Sequence, residues 1–577
     1  MKRHSCPSLP PTNPAELRAI GWQEYDVLLV TGDAYIDHPS FGIAIIARLL
    51  ESLDLRVAIL SQPWHQDARD FKAMGKPRLF CGITSGNMDS IVSNYSSNAR
   101  IRNKDAYSPE GNPYFEEEKS RSLRRRPDRA VIRYAQLARE AFGDTMIILG
   151  GIEASLRRFA HYDYQQERIR SSVLTDSKAD LLVYGMGERA VTEIAERLLQ
   201  QKDLKGIVGT CEPLTEREAQ GLIIATAVNI LPSLEEIEQD PTRFLTAELI
   251  IDKHARSSDK TILLQRQRAM WVKQNPAAEP LTTDELDAIY ELPFTGLPSS
   301  MAKKAPAFSM IQNSITIVRG CSGNCSFCAI ARHQGPVVTS RSIDSVIKEA
   351  KRLAHTPGFD GVITDMGGPT ANLYGAQCKK AYICSRKDCL YPKPCPNLSL
   401  NETRHIELLK KTAKLSGIRR VFVSSGLRME LLLETPKLME AILLHHTPGN
   451  LKIAPEHTED EVLRLMHKPG ARCLEPFLKE TRSMAKTHKR QLNINPYFIA
   501  SHPGCTLYHM NAMAKRIKEL RLIVRQFQDF TPTPGTISTA MFVSERNRDA
   551  PERHIYVARR RSERTAQRKV LEHDMAN

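Results

Sequence analysis

Three cysteines lie close together in one short segment of the sequence. Residues 317–331 read IVRGCSGNCSFCAIA and follow an apolar run. Their thiols, Cys321, Cys325 and Cys328, have C-x3-C-x2-C spacing. Three thiolates on one loop can hold one cofactor, and an iron-sulfur cube needs four ligands, so one iron stays open to a further ligand. Small Gly and Ser residues let the backbone wrap around a cluster, and the aromatic Phe327 is placed to shield it.

Two other interpretations of these cysteines are a zinc site and a chance group of buried thiols. Zinc requires a fourth Cys or His at short spacing. The nearest candidate, His333, lies five residues beyond Cys328. This spacing favours the iron-sulfur interpretation.

A second group of cysteines lies in the segment QCKKAYICSRKDCLYPKPCPN. Its four members are Cys378, Cys384, Cys389 and Cys395. The segment is rich in Lys and Pro and has no apolar periodicity, so core packing does not explain its thiols. The spacing matches neither a zinc ribbon nor a ferredoxin, and it leaves open an auxiliary iron-sulfur cluster, a structural zinc ion or a loop of reduced cysteines.

The composition is that of a globular protein with more than one domain. Of 577 residues, 25% are charged and 41% are hydrophobic, which is enough for two or three domains with full-sized cores. No apolar run is long enough to cross a bilayer, and the first residues lack the apolar core of a secretion signal. We therefore expect a cytoplasmic protein without a membrane partner, whose grouped cysteines bind metal rather than form disulfides.

The formal net charge of +15 raises the question of an anionic partner. Much of the excess lies in two Arg-rich runs, at 121–133 and 553–569. Such runs neutralise phosphates in nucleic-acid-binding proteins, which makes RNA a candidate partner. No aromatic residues are interleaved for base stacking, so two solvated basic segments are the simpler interpretation.

In the first 205 residues, apolar runs of strand length alternate with helical stretches. The runs are 26–31, 56–61, 79–84, 145–149 and 180–184. This alternation, with continuously apolar strands, predicts a parallel, doubly wound, Rossmann-like α/β sheet. Ligands of such sheets bind beyond the carboxyl ends of the strands, where this chain has Gly-rich turns.

The cysteine spacing, with an aromatic residue before the last cysteine, resembles the signature of radical S-adenosylmethionine (SAM) enzymes. Further segments resemble the YgiQ family of radical SAM proteins: VTGDAYIDHPSFG, ILGGIEASLRRFAHYDY, DLLVYGMGE, DMGGPTANLYG, SSGLR, KIAPEH and QDFTPTPGTISTAMF. The resemblance covers nearly the whole chain. It implies an enzyme that uses a [4Fe-4S] cluster to cleave SAM reductively, forming a 5'-deoxyadenosyl radical that acts on an unknown substrate.

The domain order follows from these patterns. We expect an extended leader (1–25), a Rossmann-like domain similar to cobalamin-binding domains (26–205) and a helical connecting region (206–306). The radical SAM core (307–545) is expected to be a partial (β/α)6 barrel that carries the Cys-rich insertion 378–395. A basic C-terminal tail (546–577) follows.

The resemblance also implies contacts with SAM, while catalytic residues stay unassigned. In the superfamily, a Gly-Gly pair after the second barrel strand holds the SAM amino group through backbone carbonyls. Here the pair is Gly367 and Gly368, although Pro369 replaces the Glu that usually follows. Ser425 and Arg428 follow the third strand and are expected to reach the ribose or the carboxylate.

Cobalamin is not expected, although it stays an alternative. Relatives that ligate cobalt with a histidine use D-x-H-x-x-G, whereas here His38 lies directly after Asp37. His38 is then an ordinary loop histidine. The expected partners are an unknown substrate and an electron donor such as flavodoxin or ferredoxin. Two alternative functions are an RNA- or tRNA-modifying radical SAM enzyme and a non-catalytic iron-sulfur sensor or scaffold.

Overall fold

The structure, a computed structural model, has two halves built on different sheets. It describes residues 9–116, 119–256, 260–380, 384 and 388–575. The N-terminal half is a nine-stranded sheet with an apolar core on each face. The C-terminal half is a series of parallel strand and helix units around a third core.

The N-terminal half alternates strands and helices. Its strands are β1 (Val27–Thr31), β2 (Val57–Ser61), β3 (Phe80–Thr84), β4 (Met146–Leu149), β5 (His161–Asp163), β6 (Arg168–Arg170), β7 (Leu181–Val183), β8 (Thr210–Thr215), β9 (Val228–Ile230), β10 (Ile262–Gln267) and β11 (Met270–Gln274). Its helices are α1 (Pro14–Ala19), α2 (Gly42–Ser52), α3 (Arg69–Met74), α4 (Ser90–Asn94), α5 (Ala130–Phe142), α6 (Gly151–Leu156), α7 (Val173–Ser177), α8 (Glu188–Leu199), α9 (Glu216–Ala225), α10 (Leu234–Gln239), α11 (Pro241–Ala255) and α12 (Thr283–Glu291).

The predicted doubly wound sheet is confirmed. Its strand order is β2-β1-β3-β4-β7-β8-β11-β10-β9, and the first five strands run parallel. That portion has the order of flavodoxin-like folds, in which the ligand crevice opens between β1 and β3. The strands β1 and β2 are buried along their whole length because α2 and α8 cover one face and α5 covers the other.

The region 206–306 differs from the predicted helical connection. Its strands β8 to β11 extend the sheet beyond β7, and β8 pairs antiparallel with both β7 and β11. Leu263 and Val272 are buried, whereas Arg266 and Met270 on the same two strands are exposed. Such half-polar strands give no continuous apolar run, so pairing with the open edge of β7 decides their conformation.

The C-terminal half continues the alternation. Its strands are β12 (Ser314–Thr316), β13 (Val318–Arg319), β14 (Thr339–Ser340), β15 (Val362–Ile363), β16 (Asp365–Gly367), β17 (Gln377–Cys378), β18 (Leu398–Ser399), β19 (Arg420–Val421), β20 (Asn450–Glu456), β21 (Asn493–Ala500) and β22 (Gln526–Asp529). Its helices are α13 (Pro306–Ile311), α14 (Ile330–Gln334), α15 (Ile343–Ala354), α16 (Glu402–Ala413), α17 (Met429–Glu434), α18 (Pro436–His445), α19 (Asp460–Leu465), α20 (Leu474–Thr487), α21 (Leu507–Glu519), α22 (Ile537–Ser544) and α23 (Arg561–Met575). Within the described ranges, no helix has the length and apolar character of a membrane span.

The predicted partial barrel is confirmed. β12 pairs parallel with β16, and β15 pairs parallel with β19. A parallel bridge between Leu427 and Ile453 leads on to β20, β21 and β22, which are also parallel. In the part of the chain that the structure describes, β22 does not pair with β12, so the barrel stays open along one side.

The described residues near the two ends of the chain pack into the fold, unlike the predicted extended leader and basic tail. Residues 1–8 lie outside the described residues, but α1 begins at the cap Asn13 and buries Leu17. At the other end, α23 packs against α21 and β21. Its buried Gln567 accepts a hydrogen bond from the Ser501 N–H at 3.0 Å and donates to the Cys505 carbonyl at 2.7 Å. One buried stripe therefore fixes an otherwise polar helix.

Candidate functional site

The loop that carries the three cysteines, residues 320–329, is called the cysteine loop. It begins where β13 ends and leads into α14. Gly320 makes the turn after β13 with a φ of +78°, and a Cβ at this position would overlap the Val337 carbonyl. The Ser326 N–H donates to the Met466 carbonyl at 2.9 Å, and the Ser326 carbonyl accepts from the Ser538 N–H at 2.8 Å. The loop is thus held by segments from the far side of the barrel.

The three predicted cluster ligands interact with each other on this loop. Cys321, Cys325 and Cys328 are half-buried. Burial, together with the charges of Cys325 and Cys321, raises the pKa of the Cys328 thiol to about 12. Among the described residues, no three His, Cys, Asp or Glu side chains are placed to hold one metal ion. A cube of four irons is larger than one ion, so it suits thiols that stand farther apart.

Arg428 lies against the cysteine loop. Its Nη1 is 3.6 Å from the Cys325 Sγ, and its Nε donates to the Glu430 carboxylate at 2.6 Å. Burial disfavours the charged guanidinium, yet the charges of Glu430, Cys325 and Cys321 raise its pKa well above the usual value. A Cβ at position 323 would come within 2.6 Å of Nη1, so Gly323 provides the space. Arg428, predicted to contact SAM, makes its contacts in this structure with the cysteine loop and Glu430.

The predicted Gly-Gly pair lies at the end of β16, beside the strand that leads into the cysteine loop. A Cβ on Gly368 would come within 2.5 Å of the Val318 carbonyl oxygen. A Cβ on Gly367 would overlap the Ser425 hydroxyl. Both positions need glycine because any side chain would push these strand ends apart.

Ser425 is held by Asp365, a carboxylate that the sequence analysis did not single out. The N–H groups of Ser424 and Ser425 donate to Asp365 Oδ1 at 2.8 and 3.1 Å, and the Ser425 hydroxyl donates to the other carboxylate oxygen. Asp365, in β16, thereby holds the loop that follows β19. The available signal was an acidic residue two positions before the Gly-Gly pair, at the end of an apolar run.

Buried polar atoms without a hydrogen-bond partner lie at four carboxyl ends of barrel strands. Among the described residues they include Thr364 Oγ1, Glu456 Oε2, Ser501 Oγ and Asp529 Oδ1. Burial raises the pKa of both carboxyl groups. Glu456 and Ser501 also have φ values of +67° and +60°, a strained conformation that clusters at binding sites. Buried polar groups are costly without partners, so this end of the barrel suits a polar ligand.

The side chains at these strand ends fit SAM. SAM carries an ammonium group and ribose hydroxyls that donate hydrogen bonds, and a carboxylate that accepts them. The carboxyl groups of Glu456 and Asp529 suit the donors, and the hydroxyls of Thr364 and Ser501 suit the acceptor. The cysteine loop and this polar set together fit a cluster with SAM.

Phe327 packs on the inner side of the cysteine loop. Its ring lies edge-on to the His502 ring, with centroids 6.3 Å apart, and the centroid of His502 lies 5.3 Å from that of Phe530. The His502 Nε2 is 2.7 Å from the Ser538 hydroxyl. Burial lowers the pKa of His502 to about 3, so the imidazole is neutral at pH 7. These rings form an uncharged wall behind the loop.

The crevice at the switch point of the N-terminal sheet is filled by the protein's own side chains. A Cβ on Gly32, after β1, would lie 3.0 Å from Arg126, and one on Gly86, after β3, would overlap Asp33. Arg126 is buried and forms ion pairs with Asp33 and, at 3.0 Å, with Asp105. Because ligands of this fold enter here, the residues present do not fit cobalamin in this crevice.

His38 is packed into the loop after β1. It is buried, and its Nδ1 accepts a hydrogen bond from the Ser40 N–H at 3.1 Å. Burial lowers its pKa to about 4. The histidine therefore stabilises its own loop.

Helix α6 and the turn at Gly185, both in the N-terminal half, face the helix that follows the cysteine loop. The His333 Nδ1, on α14, lies 3.0 Å from the Ser155 hydroxyl. The His333 carbonyl oxygen lies 3.5 Å from the position of a Cβ on Gly185. Arg319, at the end of β13, forms an ion pair with Glu188, and both side chains are largely buried. The two halves thus meet beside the cysteine loop.

Several arginines of the two basic runs interact with groups of the protein itself. In the first run, guanidinium groups pair with aspartates or donate to backbone carbonyls: Arg121, Arg126, Arg129 and Arg133. In the second run, two guanidinium groups pair with carboxylates: Arg559 and Arg568. The charge that made RNA a candidate partner is therefore partly neutralised by the protein itself.

The insertion cysteines lie on a loop between β17 and β18. Cys378 and Cys384 are exposed, Cys389 is half-buried and Cys395 is buried. Burial and the charges of Cys395, Cys378 and Cys384 raise the pKa of Cys389. Residues 381–383 and 385–387 of the same insertion lie outside the described residues.

An open parallel barrel with a three-cysteine loop after its first strand and a Gly-Gly pair after its second defines a radical SAM protein. Residues 9–314 match the family model described as Radical SAM N-terminal, and residues 315–484 match that of the Radical SAM superfamily. The chain belongs to the UPF0313 family.

Two relatives illustrate that membership. A UPF0313 protein of Rhodopseudomonas palustris is 44% identical over 568 residues, which cover 94% of this chain and 82% of the relative. A UPF0313 protein of Methanosarcina mazei is 41% identical over 596 residues, which cover 97% of this chain and 94% of the relative. The resemblance to the YgiQ family is confirmed, and with it the [4Fe-4S] cluster and SAM as cofactors.

Two solved structures are similar at low sequence identity. One is TsrM, a radical SAM methyltransferase from Kitasatospora setae with cobalamin and a [4Fe-4S] cluster bound, with a TM-score of 0.49 and 15% identity over 89% of this chain and 77% of that chain. The other is OxsB, a cobalamin-dependent SAM radical enzyme with aqua-cobalamin bound. Its TM-score is 0.46, with 11% identity over 96% of this chain and 56% of that chain. Both likenesses are distant.

Proposed function

We propose that this protein is a radical SAM enzyme that cleaves SAM reductively and abstracts a hydrogen atom from a substrate held between its two halves. The observation that carries the proposal is the meeting of the cysteine loop with the segment after the Gly-Gly pair. The Thr370 Oγ1 lies 3.4 Å from the Cys321 Sγ. The cluster ligands and the backbone for the SAM amino group thus share one end of the barrel.

When bound, the cluster supplies the electron that cleaves the sulfonium of SAM and gives a 5'-deoxyadenosyl radical. The protein's own residues bind, orient and shield. Asp365 positions Ser425 beside the Gly-Gly pair. Glu456 and Asp529 would accept hydrogen bonds from the donors of SAM. Phe327 and the rings behind it keep water away from the loop.

The substrate site is proposed at the junction of the halves. Helix α6, which contains Ser155, and the turn at Gly185 lie against α14, which directly follows the cysteine loop. A substrate held there would lie next to the strand ends that bind SAM. The electron comes from a low-potential one-electron donor, for which we propose a flavodoxin or a ferredoxin.

Anaerobic reconstitution tests the proposed reaction. The full-length protein is loaded with iron and sulfide and incubated with SAM and dithionite, and 5'-deoxyadenosine is measured by chromatography. We expect the wild type to form 5'-deoxyadenosine. Cys325→Ala should lose both this product and the iron-sulfur absorption. Cys211→Ala, a buried thiol of the N-terminal core, controls for the loss of a thiol as such and keeps both signals. A wild-type protein with an intact cluster that forms no 5'-deoxyadenosine would be a sensor or scaffold instead.

A further inference from the structure

The insertion between β17 and β18 draws its cysteines together through its backbone. Cys378 pairs with Leu398 across the two strands. The Leu398 N–H donates to the Cys395 carbonyl at 2.9 Å, and the Cys395 N–H donates to the Cys389 carbonyl at 2.7 Å. Three of the four thiols are therefore carried by one tight turn and the strand opposite it.

The insertion is anchored directly on the cysteine loop. The Asn324 Nδ2, between two of the proposed cluster ligands, donates to the Asp388 Oδ1 at 2.7 Å. Cys321 and Cys389 also pack on the same small apolar group, which consists of Leu373, Ala376, Leu390 and Leu431. The two cysteine groups thus contact the same group of apolar side chains.

The apolar content of the insertion is too small to fold it. Of its described residues, Leu390 and Cys395 are buried, whereas Cys378 and Cys384 are exposed. Short segments with so little core need a covalent or metal crosslink. Its thiols are the groups on the segment that can supply one.

The arrangement of the thiols favours a cluster over a single ion. A tetrahedral zinc site with Zn–S bonds of about 2.3 Å draws its sulfurs to within about 3.8 Å of each other. Among the described residues, no three side chains that could ligate a metal are drawn together in this way. Backbone pairing and hydrogen bonds nevertheless hold Cys378, Cys389 and Cys395 on neighbouring segments, and an iron-sulfur cube accepts thiolates that stand farther apart than those of a single ion.

We propose that Cys378, Cys384, Cys389 and Cys395 bind a second iron-sulfur cluster beside the radical SAM cluster. All four ligands come from the protein, so this cluster has no open iron for SAM. Its position suits one-electron exchange with the first cluster, with the electron supplied by the low-potential donor. The inference does not depend on SAM cleavage, because it concerns a separate set of thiols.

Removal of the first cluster isolates the second. The triple variant Cys321→Ala, Cys325→Ala, Cys328→Ala is reconstituted anaerobically as the full chain, and its iron, sulfide and zinc are quantified. We expect it to keep about half of the wild-type iron and sulfide and to give an electron paramagnetic resonance signal after reduction. Adding Cys378→Ala, Cys389→Ala and Cys395→Ala to the triple variant should abolish the retained iron and sulfide and also the electron paramagnetic resonance signal. Zinc without sulfide, or no metal in a triple variant whose circular dichroism matches the wild type, would overturn the proposal.

The position of the second cluster has its own test. Two reduced clusters bound next to the same group of apolar side chains would couple magnetically. We expect a broadened wild-type spectrum, in contrast to the narrow spectra of the triple variant and of the variant that lacks only the insertion cysteines. A wild-type spectrum equal to the sum of those two spectra would overturn the proposed proximity.

Discussion

The Arg428 Nη1 lies 3.6 Å from the Cys325 Sγ, although the two residues are 103 positions apart in the chain. The guanidinium is buried and held by Glu430, so its positive charge is fixed beside a sulfur that is a proposed cluster ligand. Hydrogen bonds and charges near the sulfurs set the potential of iron-sulfur clusters. Arg428 is therefore placed to ease reduction of the cluster.

Replacing Arg428 should make the cluster harder to reduce. The reduced cluster carries one more negative charge, which the guanidinium stabilises. For Arg428→Leu we expect a midpoint potential more negative by about 60 mV, roughly tenfold in the one-electron reduction equilibrium. The measurement is a redox titration followed by electron paramagnetic resonance. Arg428→Lys keeps the charge and should keep most of the potential, whereas an unchanged potential in Arg428→Leu would exclude this role.

Asp365 should control SAM affinity without affecting the cluster. Asp365→Ala leaves the N–H groups of Ser424 and Ser425 without their acceptor, which costs about 1–3 kcal/mol for each buried group. We expect SAM to bind about ten- to a hundredfold more weakly, measured by calorimetry on reconstituted protein, with unchanged iron content. Asp360→Ala is the matched control because Asp360 is exposed on the neighbouring segment. Equal SAM affinity in both variants would contradict the proposed role of Asp365.

Gly320 should be essential for the cysteine loop. In Gly320→Ala, strain at φ +78° adds to an overlap with the Val337 carbonyl, so the loop must move. We expect cluster iron to fall at least twofold. Gly358 has a similar φ of +82° but open space around its Cα, and Gly358→Ala should cost about 1–2 kcal/mol without loss of iron. Equal iron content in the two variants would show that the overlap is relieved elsewhere.

The buried Asp33 should make stability depend on pH. Burial raises its pKa from 3.8 to about 6, against the opposing effect of Arg126. Well below pH 3.8 the carboxyl is protonated in both the folded and the unfolded chain. As pH rises towards 6 the unfolded chain loses its proton first, so this group's contribution to the free energy of unfolding falls by about 3 kcal/mol.

Asp33→Asn should remove that contribution. The experiment compares urea unfolding of the wild type and the variant between pH 4 and pH 7, since other carboxyl groups affect both proteins alike. The free energy of unfolding of the wild type, relative to that of Asp33→Asn, should fall as pH rises from 4 to 6. A constant difference across this range would show that Asp33 is ionised throughout.

The filled crevice predicts that the N-terminal half does not take up cobalamin. Arg126 and its two aspartates occupy the switch point between β1 and β3. Protein incubated with hydroxocobalamin and then desalted should contain no stoichiometric cobalt by elemental analysis. A stoichiometric complex, with a changed corrinoid absorption spectrum, would show that these side chains can be displaced.

The sequence by itself determined the features that are local in the chain. The three thiols of the cysteine loop are within eight positions, so their spacing indicates a cluster. The role of the Gly-Gly pair came from the resemblance to radical SAM enzymes, which short motifs also carry. The buried parallel strands β1, β2 and β4 of the N-terminal half are also continuous apolar runs. For these elements the local pattern and the final environment agree.

Only the tertiary structure decided which distant groups meet. Three contacts join residues from separate strands and loops. They are the contact of Arg428 with Cys325, the hydrogen bond of Ser425 to Asp365, and the ion pair of Arg126 with Asp33 that fills the crevice. The strands β8 to β11 and the helix α23 likewise depend on the edges against which they pack. A buried charge is stable only beside its partner, and a half-polar strand only beside another strand, and neither condition is expressed in local sequence.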